Sequence, residues 1–155
     1  MASSKSDFLS SYATKSCVFL DSNFILVPLA LGIDILQEIP KLVSGSVDLI
    51  LLDAVKKELE ELAHTSGPKL QRQIESSLRT IGPRCREVHV VSSAGETVDD
   101  LLVRVAIEKE CPVATNDKAL KRKLRHQGIP VIFVRQNSRL ELEGWVDERS
   151  NSSPR

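Results

Sequence analysis

Aromatic residues are scarce in this chain: four Phe, one Tyr and one Trp make up 4% of its 155 residues. So few rings do not provide a stacking platform for single-stranded bases. An excess of one charge is also missing, because 21 Lys and Arg balance 21 Asp and Glu. No overall field therefore draws the chain to nucleic acid, and any such binding requires a local basic patch.

Cysteine is equally sparse. Cys17, Cys85 and Cys111 are odd in number and show no Cys-x-x-Cys spacing, which argues against a zinc site and against a secreted disulfide framework. We expect three buried thiols in a reducing cytosol, and hence a cytoplasmic protein. A bridge between Cys85 and Cys111, of the kind found in thermophiles, is the alternative.

Long hydrophobic runs are absent. The longest apolar stretch, 24–36, is interrupted by Pro28, Gly32 and Asp34, so we predict no association with a membrane. The first 16 residues are polar and lack the apolar core of a signal peptide. We expect flexible tails at 1–16 and 147–155 around one globular domain at 17–146.

Common signatures of nucleotide and acyl chemistry are missing too. The chain contains neither G-x-x-x-x-G-K-[ST] nor G-x-G-x-x-G. This excludes the common classes of protein that bind nucleotides through these loops. It also lacks the G-x-S-x-G elbow of serine hydrolases.

Short apolar runs alternate with helical patterns along the middle of the chain. Strands are predicted at 17–20, 47–52, 88–91, 112–115 and 130–134. Helices are predicted at 22–29, 33–42, 54–63, 69–81, 98–110 and 118–127, with Asp53 as a cap of the third. This alternation predicts an α/β fold, a three-layer α/β/α sandwich with a parallel sheet of about five strands.

Two carboxylates lie just after predicted strands. Asp21 comes after the strand at 17–20, and Asp117 comes after the strand at 112–115. Both are expected at the carboxyl edge of the sheet, where ligands of such folds bind. Converging carboxylates repel one another unless a cation lies between them, so the pattern predicts a divalent metal and metal-assisted hydrolysis.

Helix geometry, at about 100° per residue, places two further acids. Glu58 borders the apolar stripe of its helix more closely than Glu60 or Glu61 does. Asp99 borders the stripe of its own helix, whereas Asp100 lies almost opposite. We therefore expect Glu58 and Asp99 to face the same site as the acids at the strand ends.

Helix capping is the simpler explanation for some of these acids, because Asp side chains commonly accept hydrogen bonds from N–H groups at helix N-termini. Capping accounts readily for Asp99, Asp100 and Asp117. We do not expect it to account for Asp21 at the end of an apolar strand or for an inward-facing Glu58.

The four acids lie in four segments: Val-Phe-Leu-Asp-Ser-Asn-Phe-Ile-Leu at 18–26, Lys-Glu-Leu-Glu-Glu-Leu at 57–62, Asp-Asp-Leu-Leu-Val-Arg-Val-Ala at 99–106, and Val-Ala-Thr-Asn-Asp-Lys-Ala-Leu-Lys-Arg-Lys-Leu at 113–124. These segments resemble motifs of the PIN-domain nuclease family and occur in the family's order. The doubled acid at 99 and 100 looks more like the branch associated with ribosomal RNA processing than like the toxin branch, which often has a small residue there.

The resemblance implies an endonuclease that cuts RNA and holds one or two Mg²⁺ or Mn²⁺ ions with Asp21, Glu58, Asp99 and Asp117. It further implies that neighbouring polar side chains orient these acids: Ser22, Asn23, Asp100, Thr115 and Asn116. The implied partners are RNA, a second copy of the chain, and either an antitoxin or a ribosome-assembly factor.

The helix predicted at 118–127 has a basic face opposite its leucines. We expect four of its side chains to bind RNA phosphates: Lys118, Lys121, Arg122 and Arg125. A solvated charged face is the alternative.

Two other functions are weighed against a nuclease. A phosphoacceptor receiver domain shares the alternating layout, but it would carry a Lys after the last strand, where this chain has Arg135. An inactive PIN module that serves as an interaction scaffold is the second alternative, and the presence of all four acids argues against it.

Overall fold

The computed structural model describes residues 15–43 and 45–144. The predicted tails at 1–16 and 147–155 lie outside these residues, except that the first strand already begins at residue 15. Within the described ranges, no helix has both the length and the apolar character needed to cross a membrane.

Six strands and seven helices alternate along the described residues. The strands are β1 (Lys15–Leu20), β2 (Ser46–Leu52), β3 (Arg86–Val88), β4 (Val113–Ala114), β5 (Val131–Arg135) and β6 (Arg139–Glu143). The helices are α1 (Ser22–Ile25), α2 (Val27–Leu31), α3 (Ile35–Val43), α4 (Asp53–Thr65), α5 (Pro68–Ile81), α6 (Val98–Lys109) and α7 (Lys118–His126). A 3₁₀ turn, Gly82–Arg84, precedes β3.

The strands form one sheet in the order β3-β2-β1-β4-β5-β6. The first five pair in parallel, and β6 pairs antiparallel with β5. The chain moves one way along the sheet from β1 to β3 and the other way from β3 to β5. Right-handed crossovers therefore place α1–α5 on one face and α6 and α7 on the other, which confirms the predicted three-layer sandwich.

The core fixes the central strand and the helices around it. Val18 and Leu20 of β1 are fully buried, as are Phe24 of α1 and Leu102 of α6. Burying each side chain of this size stabilises the fold by about 2 kcal/mol. The residue that follows Leu20 is thereby held at a fixed position on the sheet edge.

The sixth strand is the main difference from the sequence prediction of about five. β6 returns beside β5 through a turn in which Gln136 and Asn137 have φ angles of 54° and 56°. Hairpin turns of this kind usually carry Gly, so the strongest sequence signal for a hairpin is missing here.

The third strand lies earlier than predicted. It is Arg86–Val88 rather than 88–91, and it is an edge strand that pairs with β2 alone. Val91, which the apolar pattern places in the strand, is 74% exposed. An edge strand needs less burial than a central one, so the apolar pattern does not define its end.

The prediction of three free thiols is wrong, and so is the alternative bridge between Cys85 and Cys111. Cys17 and Cys111, which are 94 residues apart, form a disulfide. Phe19 of β1 pairs with Val113 of β4, and the same offset brings the two cysteines opposite each other. Cys85 is free, and burial, followed by the charge of nearby Glu87, raises the pKa of its thiol to about 11.

Candidate active site

Asp21 lies at the carboxyl end of β1, and only 4% of its surface is exposed. Its Oδ2 accepts a hydrogen bond of 2.6 Å from the Thr115 hydroxyl, and its Oδ1 accepts one of 2.8 Å from the Ser22 N–H. Burial raises the pKa of Asp21, the two hydrogen bonds oppose that rise, and the charges of Asp99 and Glu58 add to it. Asp21 is therefore a buried acid within electrostatic reach of two others.

Asp21 is also the N-cap residue of α1. This corrects the expectation that capping does not account for Asp21, because an apolar strand can lead directly into a helix. Ser22 contributes its backbone N–H to this cap, and its hydroxyl makes no hydrogen bond with a described residue. A cap requires neither deep burial nor the bond to Thr115, so those two features still need another explanation.

Thr115 links two of the acids. Its fully buried hydroxyl donates to Asp21 and accepts a bond of 3.0 Å from the Asp117 N–H. The next residue, Asn116, donates its N–H to Oδ1 of Asn23 at 3.2 Å, and its own Oδ1 accepts a backbone N–H of β5 at 2.9 Å. These bonds tie together the carboxyl ends of β1, β4 and β5.

Asp99 and Asp117 stand at the N-terminal ends of α6 and α7. Asp117 caps α7, because its Oδ1 accepts a bond of 2.9 Å from the Leu120 N–H. The cap of α6 is Thr97, so capping explains Asp117 but not Asp99. Burial raises the pKa of Asp99, the charge of Asp117 raises it further, and Lys123 opposes the rise.

Asp100 differs from its neighbour Asp99. It is exposed, and its carboxylate lies 3.4 Å from Nζ of Lys123. The bond with Thr97 lowers the pKa of Asp100, and Lys123 lowers it further. Asp99 thus faces other acids, whereas Asp100 faces a cation.

Glu58 of α4 is exposed, although the helix pattern predicts that it faces inward. It makes no hydrogen bond or ion pair with any described residue, yet its charge raises the pKa of Asp21. The charge of Glu60 instead raises the pKa of Lys56. Of the acids on α4, Glu58 is therefore the one that reaches the site electrostatically.

The donor set suits a hard divalent cation, because it consists of carboxylate oxygens. The charges of Asp99 and Glu58 raise the pKa of Asp21, and the charge of Asp117 raises the pKa of Asp99. Nevertheless, among residues 15–43 and 45–144 no group of three or more Asp, Glu, His or Cys side chains is arranged to hold a metal ion as it stands. Glu58 and Asp99 make no hydrogen bonds to described residues, so both side chains can rotate toward Asp21.

The basic face predicted on α7 divides into two parts. Nζ of Lys121 lies 2.9 Å from the Glu143 carboxylate, and Arg125 lies 3.8 Å from the same group and donates to the Ile129 carbonyl at 3.1 Å. These two side chains are turned toward β6. Lys118 and Arg122 are exposed and have no hydrogen-bond or ion-pair partner in the part of the chain that the structure describes.

Comparison with known proteins identifies the family. Residues 18–137 match the sequence model described as PIN like domain. The chain belongs to the PIN-like domain family. This confirms the resemblance drawn from the four acidic motifs.

Relatives of this PIN-like chain fall into two groups. It is 30% identical to Ribonuclease VapC4 of Methanocaldococcus jannaschii over 127 residues, which span 81% of this chain and 95% of the relative. It is 31% identical to the rRNA-processing protein FCF1 of Saccharomyces cerevisiae over 119 residues, 76% of this chain and 59% of that protein. The solved structure of the PIN domain endonuclease Utp24 matches with a TM-score of 0.68 and 29% identity, over 84% of this chain and 93% of that one.

Two polar pairs of this PIN-like domain were not predicted from its sequence. Asp53 does not cap α4, which begins at Asp53 itself with Leu52 as N-cap; its carboxylate instead bonds Nδ1 of His89, and this bond lowers the pKa of Asp53. Arg104 of α6 bonds both oxygens of Glu96 at 2.9 and 3.0 Å. Glu96 precedes α6, whereas Arg104 lies within it, eight residues further along the chain. Helix periodicity therefore does not predict this ion pair.

Proposed function

We propose that the chain is a metal-dependent endoribonuclease that hydrolyses phosphodiester bonds within RNA. The observation that carries this proposal is the position of Asp21, buried at the carboxyl end of the central parallel strand and hydrogen-bonded to Thr115. Membership of the PIN-like family supports it, as does the similarity to Ribonuclease VapC4 and to the PIN domain endonuclease Utp24.

Asp21, Glu58, Asp99 and Asp117 would hold one or two Mg²⁺ or Mn²⁺ ions. When bound, such an ion lowers the pKa of a coordinated water and offsets the negative charge of the phosphodiester. The chain itself supplies two anchored acids and two adjustable ones. Hydrogen bonds fix Asp21 and Asp117, whereas Glu58 and Asp99 can adjust to the ion.

Thr115 positions the anchored acids. Because its hydroxyl donates to Asp21, the bonded carboxylate oxygen keeps its orientation. Because the Thr115 hydroxyl oxygen also accepts from the Asp117 N–H, the same side chain holds the backbone of Asp117 near Asp21. Lys118 and Arg122 lie on the helix that Asp117 begins, and we expect them to bind RNA phosphates next to the acids.

Cleavage assays test the proposal. Wild-type protein should cut single-stranded or structured RNA with Mn²⁺ and should lose this activity in excess chelator. Asp21→Asn and Asp99→Asn should each lower the rate on the order of 100-fold, while Asp100→Asn, the matched control on the adjacent residue, should retain most of it. Isothermal titration should show weaker Mn²⁺ binding to the first two variants. Full activity of an Asp21→Asn, Asp99→Asn double variant would overturn the proposal.

We assign the enzyme to RNA processing, with ribosomal RNA as the substrate, because the chain is 31% identical to the rRNA-processing protein FCF1 and carries the doubled acid at Asp99 and Asp100. The coverage of 95% of Ribonuclease VapC4 favours a second candidate, a toxin ribonuclease with an antitoxin partner. Expression in a host without a cognate antitoxin separates the two. Growth arrest by the wild type, but not by Asp21→Asn, would favour the toxin. A cytoplasmic location and a homodimer stay predictions.

A further inference from the structure

The loop between β3 and α6, residues 89–97, is attached to α6 by one arginine side chain. Nε of Arg104 donates to one Glu96 carboxylate oxygen at 2.9 Å, and its Nη2 donates to the other at 3.0 Å. Nη2 also donates to the Val91 carbonyl at 2.9 Å. A guanidinium that bonds both oxygens of a carboxylate fixes their relative orientation as well as their distance. Arg104 therefore holds the loop at two separate positions.

Glu96 also closes the loop on itself. Its Oε1 accepts a bond of 2.9 Å from the Ser93 N–H, and its own N–H donates to the Ser93 carbonyl at 3.0 Å. Only 10% of the Glu96 side chain is exposed, whereas Glu108, which lies 3.7 Å from Arg104, has a side chain that is 57% exposed. Exposed pairs with a single long contact add little, while shielded pairs with two bonds keep their geometry. Glu96 is therefore the partner through which Arg104 fixes the loop.

The loop ends where the first turn of α6 begins. Thr97, the residue after Glu96, is the N-cap of α6: its hydroxyl accepts from the Asp100 N–H at 3.0 Å, and its carbonyl accepts from the Leu101 N–H at 2.9 Å. Asp99 lies within this turn. The first turn of a helix opens more readily than the interior, because its N–H groups lack intrahelical partners. The geometry of this turn therefore depends on what holds the cap.

The carboxylate of Asp99 depends on this turn for its position. It makes no hydrogen bond with a described residue. Burial raises the pKa of Asp99 and the charge of Asp117 raises it further, so the two ionised groups repel each other. Arg104 lies about two helical turns beyond the cap. Through Glu96, it ties the turn that carries Asp99 to the middle of α6 and opposes this repulsion.

We propose that Glu96 and Arg104 are positioning residues that hold Asp99 in place for the metal ion. The proposal rests on the proposed function, in which Asp99 is one of four acids that hold the ion. The bonds between Glu96 and Arg104 keep the first turn of α6 closed before the ion arrives. Breaking them leaves all four acids in the chain but lowers the affinity for the ion, because binding must then also close the turn.

Titration of Mn²⁺ into RNA-free protein, at a temperature at which every variant is folded by circular dichroism, tests this role. Glu96→Gln removes the negative charge, and Arg104→Lys keeps the positive charge but loses the paired bonds. We expect each variant to bind Mn²⁺ about tenfold more weakly than the wild type. In cleavage assays the Mn²⁺ concentration for half-maximal rate should rise by the same factor, while the rate at saturating Mn²⁺ should change little. Glu108→Gln, which alters the other acid near Arg104, is the matched control and should bind Mn²⁺ like the wild type.

Amide hydrogen exchange without metal measures the turn directly. In Glu96→Gln, the N–H groups of Asp100 and Leu101 should exchange roughly tenfold faster than in the wild type, because losing a hydrogen bond to a charged group shifts an equilibrium by about this factor. The N–H groups of Val105 and Ala106, in the middle of α6, should keep their rates. Equal acceleration throughout α6, or none in the first turn, would overturn the proposal.

The outcomes separate this proposal from the proposed function. Variants that lose stability but bind Mn²⁺ like the wild type would show that the ion pair serves the fold alone, and the positioning proposal would be wrong. If Glu96→Gln also cuts RNA like the wild type while Asp99→Asn does not, the nuclease proposal stands without it. If Mn²⁺ binding depends on Glu96 but the wild type cuts no RNA, the positioning proposal stands and the nuclease proposal fails. A wild type that binds no Mn²⁺ would contradict both.

Discussion

Thr115 donates its hydroxyl to Asp21 from a position 94 residues further along the chain. This is the same offset that pairs Leu20 with Ala114 in the register of β1 and β4. The disulfide between Cys17 and Cys111 has the same offset at the opposite end of the strand pair. A covalent bond therefore fixes one end of the pair, and a buried hydrogen bond between two proposed site residues fixes the other.

Replacing Thr115 by Val should lower both stability and activity. Val has a similar shape but no hydroxyl, so a buried oxygen of Asp21 loses its donor and the Asp117 N–H loses its acceptor. We expect a loss of about 2 kcal/mol in the free energy of unfolding. If the proposed metal site is correct, Mn²⁺ affinity should fall roughly tenfold or more. Urea unfolding and calorimetric titration measure the two effects.

Thr115→Ser is the matched control for this change, because it restores the hydroxyl without the methyl group. It should recover most of the Mn²⁺ affinity. If Val and Ser variants bind Mn²⁺ equally well, the hydrogen bond has no part in positioning Asp21.

Removing the disulfide should destabilise the protein strongly. Closing a loop of 94 residues restricts the unfolded chain, and in the chain-entropy account this stabilises the fold by about 4.7 kcal/mol. A Cys17→Ala, Cys111→Ala double variant should therefore unfold at clearly lower urea concentration. Cys85→Ala, which removes the free thiol, is the control and should have a smaller effect.

Thiol counting checks the pairing directly. Unfolded, unreduced protein should show one reactive thiol, and reduced protein should show three. Three thiols before reduction would contradict the disulfide and restore the prediction made from cysteine spacing.

The alternation of strands and helices was enough to predict the three-layer fold, because parallel strands need helical crossovers. It was not enough to predict β6, whose turn uses Gln136 and Asn137 instead of Gly. The disulfide could not be predicted from the sequence either, because it is the pairing of β1 with β4 that brings Cys17 and Cys111 together. Sequence spacing carries no information about which distant strands become neighbours.

The candidate site shows a similar division. Strand ends and helix faces pointed to Asp21 and Asp99, and the structure brings their charges within reach of each other. The assignment of caps was less successful, since it depends on local backbone angles: Asp21 caps a helix and Asp99 does not. The basic face was divided by β6, because Glu143 of that strand pairs with Lys121 and Arg125.

Ser77 is a site where a substitution should increase stability. Its side-chain oxygen is buried and has no hydrogen-bond partner within the part of the chain that the structure describes. Ser77→Ala removes that unsatisfied group without creating a large cavity, so we expect about 1 kcal/mol more free energy of unfolding. Ser76→Ala, on the preceding residue of α5, is the control and should change stability less. A lower melting temperature for Ser77→Ala would show that the hydroxyl has a partner in solution.

Acid should weaken the loop that leads into α6. The bonds from Arg104, followed by one from the Ser93 N–H, lower the pKa of Glu96 to about 2 from an ordinary value of 4.5. A lowered pKa means that ionised Glu96 stabilises the fold above pH 4.5 and that this contribution disappears as the pH falls toward 2. Glu96→Gln should therefore be less stable than the wild type at neutral pH, and the difference should shrink across that window. Urea unfolding from pH 7 to pH 2.5 measures it, with Glu108→Gln as a control whose carboxylate lies farther from Arg104, at 3.7 Å. A difference that stays constant over this range would show that the pair does not persist in solution.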